Sequence, residues 1–207
     1  MIKIENTKVY NIVDALRGMR NPKNSWSRND TTTVCDVHDG HIISVHLGEN
    51  DKKLATALIK AGTEHRKFMR QIFVCADFTM PNYISNEFDT YKLGTVRNSC
   101  SVQHKGSARD LTVDDFSFDN IDNEDVNTLI SIVNKYRTKY VNENDYNIFR
   151  QFRQFMPMSY NYKFTWTGNY EILLNMYRQR KNHPLKEWRD ICLWIECLPS
   201  MDIFLNA

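Results

Sequence analysis

The sequence predicts a mixed α/β (α+β) fold in a single domain, with several helices around a mixed sheet. Three observations predict it. β-Branched runs flank His38-Asp39-Gly40, apolar residues recur at helical spacing from Leu54 to Ile72, and further helical stretches fill the second half around an alternating segment at 160–167.

In chain order, residues 2–5 and 8–13 are short and ambiguous. Residues 31–47 read as a hairpin, because Asp39-Gly40 is a turn signal between β-branched runs. From Asn50 the period changes. Leu54, Ala57, Leu58, Ala61, His65, Phe68, Met69 and Ile72 keep to one helical face, and Asn50 or Asp51 can cap its start. Met80-Pro81 breaks the pattern. Residues 82–93 are aromatic-rich and compatible with a helix capped by Asn82, and residues 94–105 are polar and small. After an acidic loop, residues 123–140 are helical with Leu129, Ile130, Val133, Tyr136 and Tyr140 as the apolar stripe. Residues 146–156 are helical up to Pro157. Residues 160–167 alternate as a strand or extended loop. Residues 170–181 and 184–198 read as a helical hairpin, with Pro184 in a first-turn position. The domain therefore runs as a strand, hairpin and helix part (1–105), an acidic loop (106–125) and a helical part (126–207). No internal repeat interrupts it.

The 207 residues carry 27 Lys+Arg against 25 Asp+Glu, a net charge of +2, and are 42% hydrophobic. At about 100–200 residues per domain this is one domain, and a globular chain of this size buries about 70% of its unfolded surface without staples. Seven Gly and five Pro exclude collagen-like and low-complexity chains. Apolar runs are too short to span a bilayer. Met1-Ile2-Lys3-Ile4-Glu5 sets an acid where a secretion signal has its apolar segment. A cytoplasmic location with no membrane partner is expected. The small net charge and the lack of a recognition motif argue against nucleic acid. The 21 asparagines point to an AT-rich coding genome of the phage or Firmicute kind, so a viral protein in its host's cytoplasm is one expected source.

Charge is separated along the chain. Residues 110–125 hold seven acids and no Lys or Arg, whereas residues 150–190 hold eight bases against three acids. The basic stretch is either a set of solvated helix faces or an anion site, since Arg forks match phosphate geometry.

Five scattered cysteines without a CxxC pair read as reduced thiols. Cys192 and Cys197 fall in an apolar helical segment and read as small buried hydrophobes. Cys100 sits between two serines with no assignable base, so packing or polar contact is its reading ahead of nucleophile. Cys35, His38, His41 and His46 fit no zinc-finger spacing, and a hairpin would spread them over both faces; no metal is expected. There is no GxGxxG, Walker loop, GxSxG or HExxH.

Residues 157–189 carry the informative pattern: Phe164-x-Trp166-Thr167-x-Asn169, then Asn175, then Arg180 at the end of a predicted helix. At these spacings, and without a gap, the segment resembles the C-terminal half of the flavin-dependent thymidylate synthases. Upstream, Gly62-Thr63-Glu64-His65 and Pro81 resemble the family's segment before its fingerprint. The fingerprint itself, Arg-His-Arg followed by spaced Ser, Asn-Glu, Ser and Arg-Tyr, falls on Thr90-Tyr91-Lys92, Thr95, Arg97-Asn98, Cys100 or Ser101, and Val102-Gln103. Only Lys92, Thr95 and Asn98 survive recognisably.

The resemblance implies a thymidylate synthase-like fold and a homotetramer that binds FAD at subunit interfaces. It also implies methylation of dUMP with methylenetetrahydrofolate and NADPH, and no cysteine nucleophile. Arg180 matches the position that lies against the pyrimidine; the bland reading is a helix-end cation facing the dipole. Asn175 matches a flavin or nucleotide contact. Asn169 is a helix cap or a ligand contact. Tyr91, Lys92, Thr95, Arg97, Asn98, Ser99 and Ser101 form a phosphate-compatible stretch, or an ordinary polar turn, and His65 completes the candidate set. Two functions stand side by side: a FAD-dependent one-carbon transfer to dUMP, and a catalytically inactive nucleotide binder, such as a phage-type sequesterer of a signalling nucleotide. A purely structural oligomer is the third.

Overall fold

The computed structural model describes residues 2–38, 42–102 and 107–207, and only the backbone of residues 42 and 43. The two ambiguous N-terminal segments are one strand, β1 (Lys3–Tyr10), followed by a short helix, α1 (Ile12–Gly18). Asn11 makes the corner with φ 63°. Among the described residues six non-glycines have positive φ, and five are asparagines: Asn6, Asn11, Asn24, Asn120 and Asn144. Asn tolerates the left-handed region because its short amide bonds locally. Part of the asparagine load therefore has a conformational use.

The hairpin is β2 (Thr32–Cys35) with β3 (Ile42–His46), antiparallel, with Thr32 opposite His46 and Val34 opposite Ser44. The Asp39-Gly40 turn and His41 lie outside the described residues. Helix α2 (Glu49–Lys60) starts where the period changes, but neither Asn50 nor Asp51 caps it. The cap comes from Asp30, whose carboxylate accepts the N–H of Asn50 at 2.9 Å and of Asp51 at 3.0 Å. Helix α2 also ends earlier than its stripe suggested. Gly62, at φ 103°, takes the chain out of the helix. Phe68 and Met69 then belong to a 3-10 turn (Lys67–Gln71), and Ile72 leads into β4 (Phe73–Pro81), a strand the sequence reading missed. Val74, Ala76, Phe78 and Met80 alternate as its buried face. Two consecutive local periods merged into one false helical stripe.

Next come α3 (Asn82–Phe88), with Pro81 rather than Asn82 at the cap position, and β5 (Val96–Ser99) inside the polar stretch. Helices α4 (Asn123–Glu143) and α5 (Tyr146–Phe155) agree with expectation, and the Asp145 carboxylate caps α5 through the N–H groups of Asn147 and Ile148. Strand β6 (Asn161–Asn169) leads into α6 (Tyr170–Arg180) and α7 (Lys186–Glu196). Pro184 stands outside α7, because Leu185 holds the cap position. A last helix, α8 (Met201–Leu205), was not expected. Cys192 is buried, but Cys197 is exposed just past α7, so only one of the pair packs as a core residue. No helix among the described residues is long and apolar enough to cross a membrane.

The larger sheet has the order β1-β4-β6-β5. The chain divides into two compact units, and each takes part of all four strands. The first comprises the described residues of 1–5, 77–92 and 97–165; the second comprises those of 6–76, 93–96 and 166–207. The first unit has a core of Val102, Leu111, Phe116, Val133 and Phe152, with Phe78 stacked on Phe164 at 5.5 Å. This core fastens the acidic loop. Leu111 and Phe116 are buried in it, the Asn134 amide brackets the Leu111 backbone with two 2.8 Å hydrogen bonds, and Arg137 pairs with Asp110. Arg109 grips both carboxylate oxygens of Asp115 at 2.7 and 2.8 Å. The second unit packs Trp166, Tyr170, Trp188, Leu173 and Phe204 as its largest buried side chains. A Cβ on Gly168 would come within 2.3 Å of the Trp166 ring, which explains the Gly between Thr167 and Asn169.

Candidate functional site

In the second unit the chemistry gathers on α6. Asn169 is buried, and its side chain accepts the Ile172 N–H at 3.1 Å, so it caps the helix. Glu171 follows in the first turn, where a carboxylate favours the helix dipole, yet it is only 6% exposed. Its partner is Arg66, 8% exposed, which donates Nε–H to Oε1 at 2.8 Å. Arg66 also donates to Oδ1 of Asn175 and to Oγ1 of Thr63, both at 3.3 Å. The more exposed Arg70 approaches the other Glu171 oxygen at 3.4 Å. The network engages the Asn175 carbonyl as an acceptor.

Arg180, one turn and a half further on, lies with its guanidinium carbon 4.5 Å from the centroid of Trp188. Trp188 is fully buried, and His183 meets it edge-on at 6.2 Å. A planar cation held over a rigid aromatic face is attracted by the ring and restricted in orientation. Beside it, the hydrogen bond from the Tyr177 hydroxyl to Glu196, with some burial, pushes the phenol up to about 12. Burial, with Glu196 nearby, pushes the Cys192 thiol up to about 11, so it stays protonated at neutral pH.

Arg66 is the residue that sequence reasoning missed. The reading stopped at His65, which is exposed, whereas the next residue turns inward. The only available signal was adjacency to Gly62-Thr63-Glu64-His65; nothing in a hydrophobic period marks an arginine for burial.

In the first unit, Asn98, Ser99 and Cys100 line a groove of about 610 Å³ together with Asp77, Asp114 and Lys163. Ser101 lines an overlapping cavity of about 470 Å³ that shares Cys100, Asp114 and Lys163 and adds Arg109 and Tyr160. Arg97 is committed elsewhere. It donates to Asp89 at 3.1 Å, to Ser85 at 2.6 Å and to Ser99 at 3.0 Å, and stacks 3.8 Å over Phe164. Tyr91 is buried and Lys92 is exposed, and neither lines these cavities. Thr95 is half-buried in the second unit. The predicted phosphate-compatible stretch is thus split: Asn98, Ser99 and Ser101 share one surface, and Arg97 braces α3 and β6. Among the described residues no group of His, Cys, Asp and Glu could hold a metal ion.

With this geometry in view, the chain matches thymidylate synthase X from Helicobacter pylori, solved with FAD and dUMP, at TM-score 0.72 and 17% identity, over 99% of this chain and 97% of that one. A second structure of the flavin-dependent thymidylate synthase from the same organism, complexed with FAD and dUMP, matches at TM-score 0.70 and 17% identity over 99% and 96%. The fold is that of the flavin-dependent thymidylate synthases. No protein-family model and no curated protein matches the sequence. The thymidylate synthase fold expected from residues 157–189 therefore extends over nearly the whole chain, at an identity too low for sequence matching. Within that fold, α6 is the helix that the motif Phe164-x-Trp166-Thr167-x-Asn169 introduces.

Proposed function

We propose that the chain binds a pyrimidine nucleotide through α6, with Arg180 and Asn175 as the groups that touch it. One observation carries the reading: the fold is shared, end to end, with a protein solved with FAD and dUMP, and α6 here presents Asn175 and Arg180 on a braced support. Because Arg66 holds the Asn175 carbonyl, the amide NH2 is the donor a pyrimidine oxygen would meet. Because Trp188 stacks under Arg180, the guanidinium can be aimed without paying rotamer entropy on binding. A fixed guanidinium there stabilises negative charge on the N–C=O edge of uracil. Asn169 and Glu171 are positioning residues, one capping the helix and the other anchoring Arg66. In the first unit, and apart from α6, Asn98, Ser99 and Ser101 are proposed to offer an amide and hydroxyls to a phosphate. Further groups, Lys92 and His65 among them, are proposed to act in a homo-oligomer, tetrameric as the resemblance implies.

A second reading, transfer of a one-carbon unit to dUMP with FAD, folate and NADPH, is favoured by the same likeness. Bound flavin would supply the reducing equivalents. The first unit's groove does not suit a flavin diphosphate: Asp77, Asp114 and Glu5 outnumber Lys3 and Lys163, and Arg97 is paired internally.

The absorbance spectrum separates the two readings. Yellow protein that releases flavin on denaturation supports the transferase, and colourless protein that takes up no added FAD sinks it. Thermal denaturation with dUMP tests the binder in either case, since a ligand at 100 times its Kd stabilises by about 2.7 kcal/mol. Arg180→Ala is expected to abolish that shift and leave the ligand-free melt unchanged. A shift that survives the substitution overturns the assignment of Arg180.

A further inference from the structure

An asparagine amide carries an acceptor at one end and two donors at the other. The two ends are nearly equal in size, so hydrogen-bonding neighbours decide which way the group faces. At Asn175, half-buried on α6, the neighbour is Arg66. A guanidinium has donors and no acceptor, and Arg66 Nη2 reaches Asn175 Oδ1 at 3.3 Å. Turning the amide over would set its NH2 group against that cation, donor against donor.

Arg66 is itself held. It is 8% exposed, Glu171 Oε1 accepts its Nε–H at 2.8 Å, and the Nη2 that meets Asn175 also donates to Thr63 Oγ1 at 3.3 Å. Glu171 is buried as well, and its other oxygen meets Arg70 at 3.4 Å, so two cations secure the carboxylate that secures Arg66. Away from water such charge-assisted contacts are strong and costly to reverse. Arg180 stands five residues beyond Asn175 on the same helix, about 7.5 Å along its axis. The two side chains would therefore meet different atoms of one pyrimidine ring.

We propose that Arg66 determines specificity by fixing Asn175 as a donor, so that α6 accepts a pyrimidine nucleotide with a 4-oxo group and rejects one with a 4-amino group. This rests on the reading of α6 as the pyrimidine-nucleotide site. Uracil and cytosine share the 2-oxo group and differ at position 4, where uracil has an oxygen that accepts and cytosine an NH2 that donates. The Asn175 NH2 group pairs with the first and opposes the second. A site that hydrogen-bonds its substrate discriminates against a mismatched polar group more strongly than a pocket that only measures apolar size. Arg66 acts through Asn175 and is a positioning residue, with no need to touch the nucleotide.

Isothermal titration of the full chain with dUMP and dCMP tests it. The parent is expected to bind dUMP about tenfold or more tightly than dCMP. Arg66→Gln with Glu171→Gln removes both buried charges together and frees the Asn175 amide to face either way. In that variant the two affinities are expected to come within about threefold of each other. A role for Arg66 in stability alone would weaken both nucleotides alike, and an unchanged ratio overturns the proposal. Asn175→Asp keeps a partner for Arg66 but presents only acceptors, and is expected to favour dCMP; it carries the test if the double variant does not fold. A dUMP preference that survives Asn175→Asp overturns the assignment. Parent protein that binds dUMP and dCMP equally overturns the proposal and leaves the pyrimidine-nucleotide reading standing. Parent protein that binds neither overturns that reading, and the proposal with it.

Discussion

Two buried arginine–carboxylate pairs in the second unit use the same ingredients to different ends. In Arg20–Asp51 the carboxylate is 0% exposed and saturated: one oxygen meets Arg20, and the other accepts three hydrogen bonds from Asp30 and Thr31. It ties the segment before the β2–β3 hairpin to α2, and in return Asp30 caps that helix. In Arg66–Glu171 the arginine spreads its donors over a carboxylate, an amide and a hydroxyl, and among the described residues the second carboxylate oxygen meets the half-exposed Arg70 at 3.4 Å. The first pair closes on itself and serves stability. The second reaches Asn175 on α6, the helix that ends on Arg180. Buried charge is costly wherever it sits, so a pair that is not saturated by backbone is the better candidate for a working one.

Substitutions test the contrast between the two pairs. The largest effect is expected from Asp51→Ala, which strands a buried guanidinium and releases the Asp30–Thr31 backbone. Chemical denaturation should show a loss of about 3–5 kcal/mol, and a loss below about 1 kcal/mol would mean that the pair is not the tie described. Glu171→Ala should cost less, roughly 2 kcal/mol, because Arg66 keeps Thr63 and Asn175, and it should also weaken any dUMP-induced thermal shift. A ligand shift unchanged in that variant would make the two pairs equivalent. Asn169→Ala removes the α6 cap and is expected to cost about 1 kcal/mol in the same denaturation experiment.

The smallest effect concerns pH and lies in the first unit. Desolvation pushes the Asp115 carboxyl up, but the hydrogen bonds from Arg109 and the Thr112 N–H, with the Arg109 charge, together hold it below its ordinary 3.8. A folded value below the unfolded one means that its stabilising contribution is complete above the unfolded value and is lost as pH falls through the folded one. Arg109→Gln should therefore raise the Asp115 titration, read by NMR, and move the onset of acid loosening of the 109–116 segment to higher pH. An Asp115 titration that stays put in the variant would remove Arg109 as the cause.

Much of the fold was legible in the sequence where period and punctuation agreed. Helices α4 and α5, strand β6, helix α6 and the β2–β3 hairpin each have a clean period and a recognisable cap or flank, and Asp145 and Asn169 cap as their residue types suggest. The reading failed where two elements share a period by accident. Phe68, Met69 and Ile72 prolonged the α2 stripe, hiding the turn and the start of β4. Of the candidate site, the spacing Asn169, Asn175, Arg180 was readable because one helix carries all three. Arg97 looked like a phosphate ligand, because a sequence cannot reveal that Asp89, Ser85 and Phe164 converge on it. Arg66 was missed, since Glu171 and Asn175, the partners that tie it to α6, lie more than a hundred residues away.

The mixed fold class, most helix and strand positions, and the thymidylate synthase-like spacing from Phe164 to Arg180 are readable from the amino-acid order. These are local properties, written in period, cap and spacing. Which charges are buried and with which partners is set by tertiary packing. It buried Arg20 on Asp51 and Arg66 on Glu171, turned Arg97 onto Phe164, and borrowed the α2 cap from Asp30. The reason is physical: a charged side chain has the same character on paper wherever it stands, and its energy is set by desolvation and by partners that only folding brings within hydrogen-bonding distance.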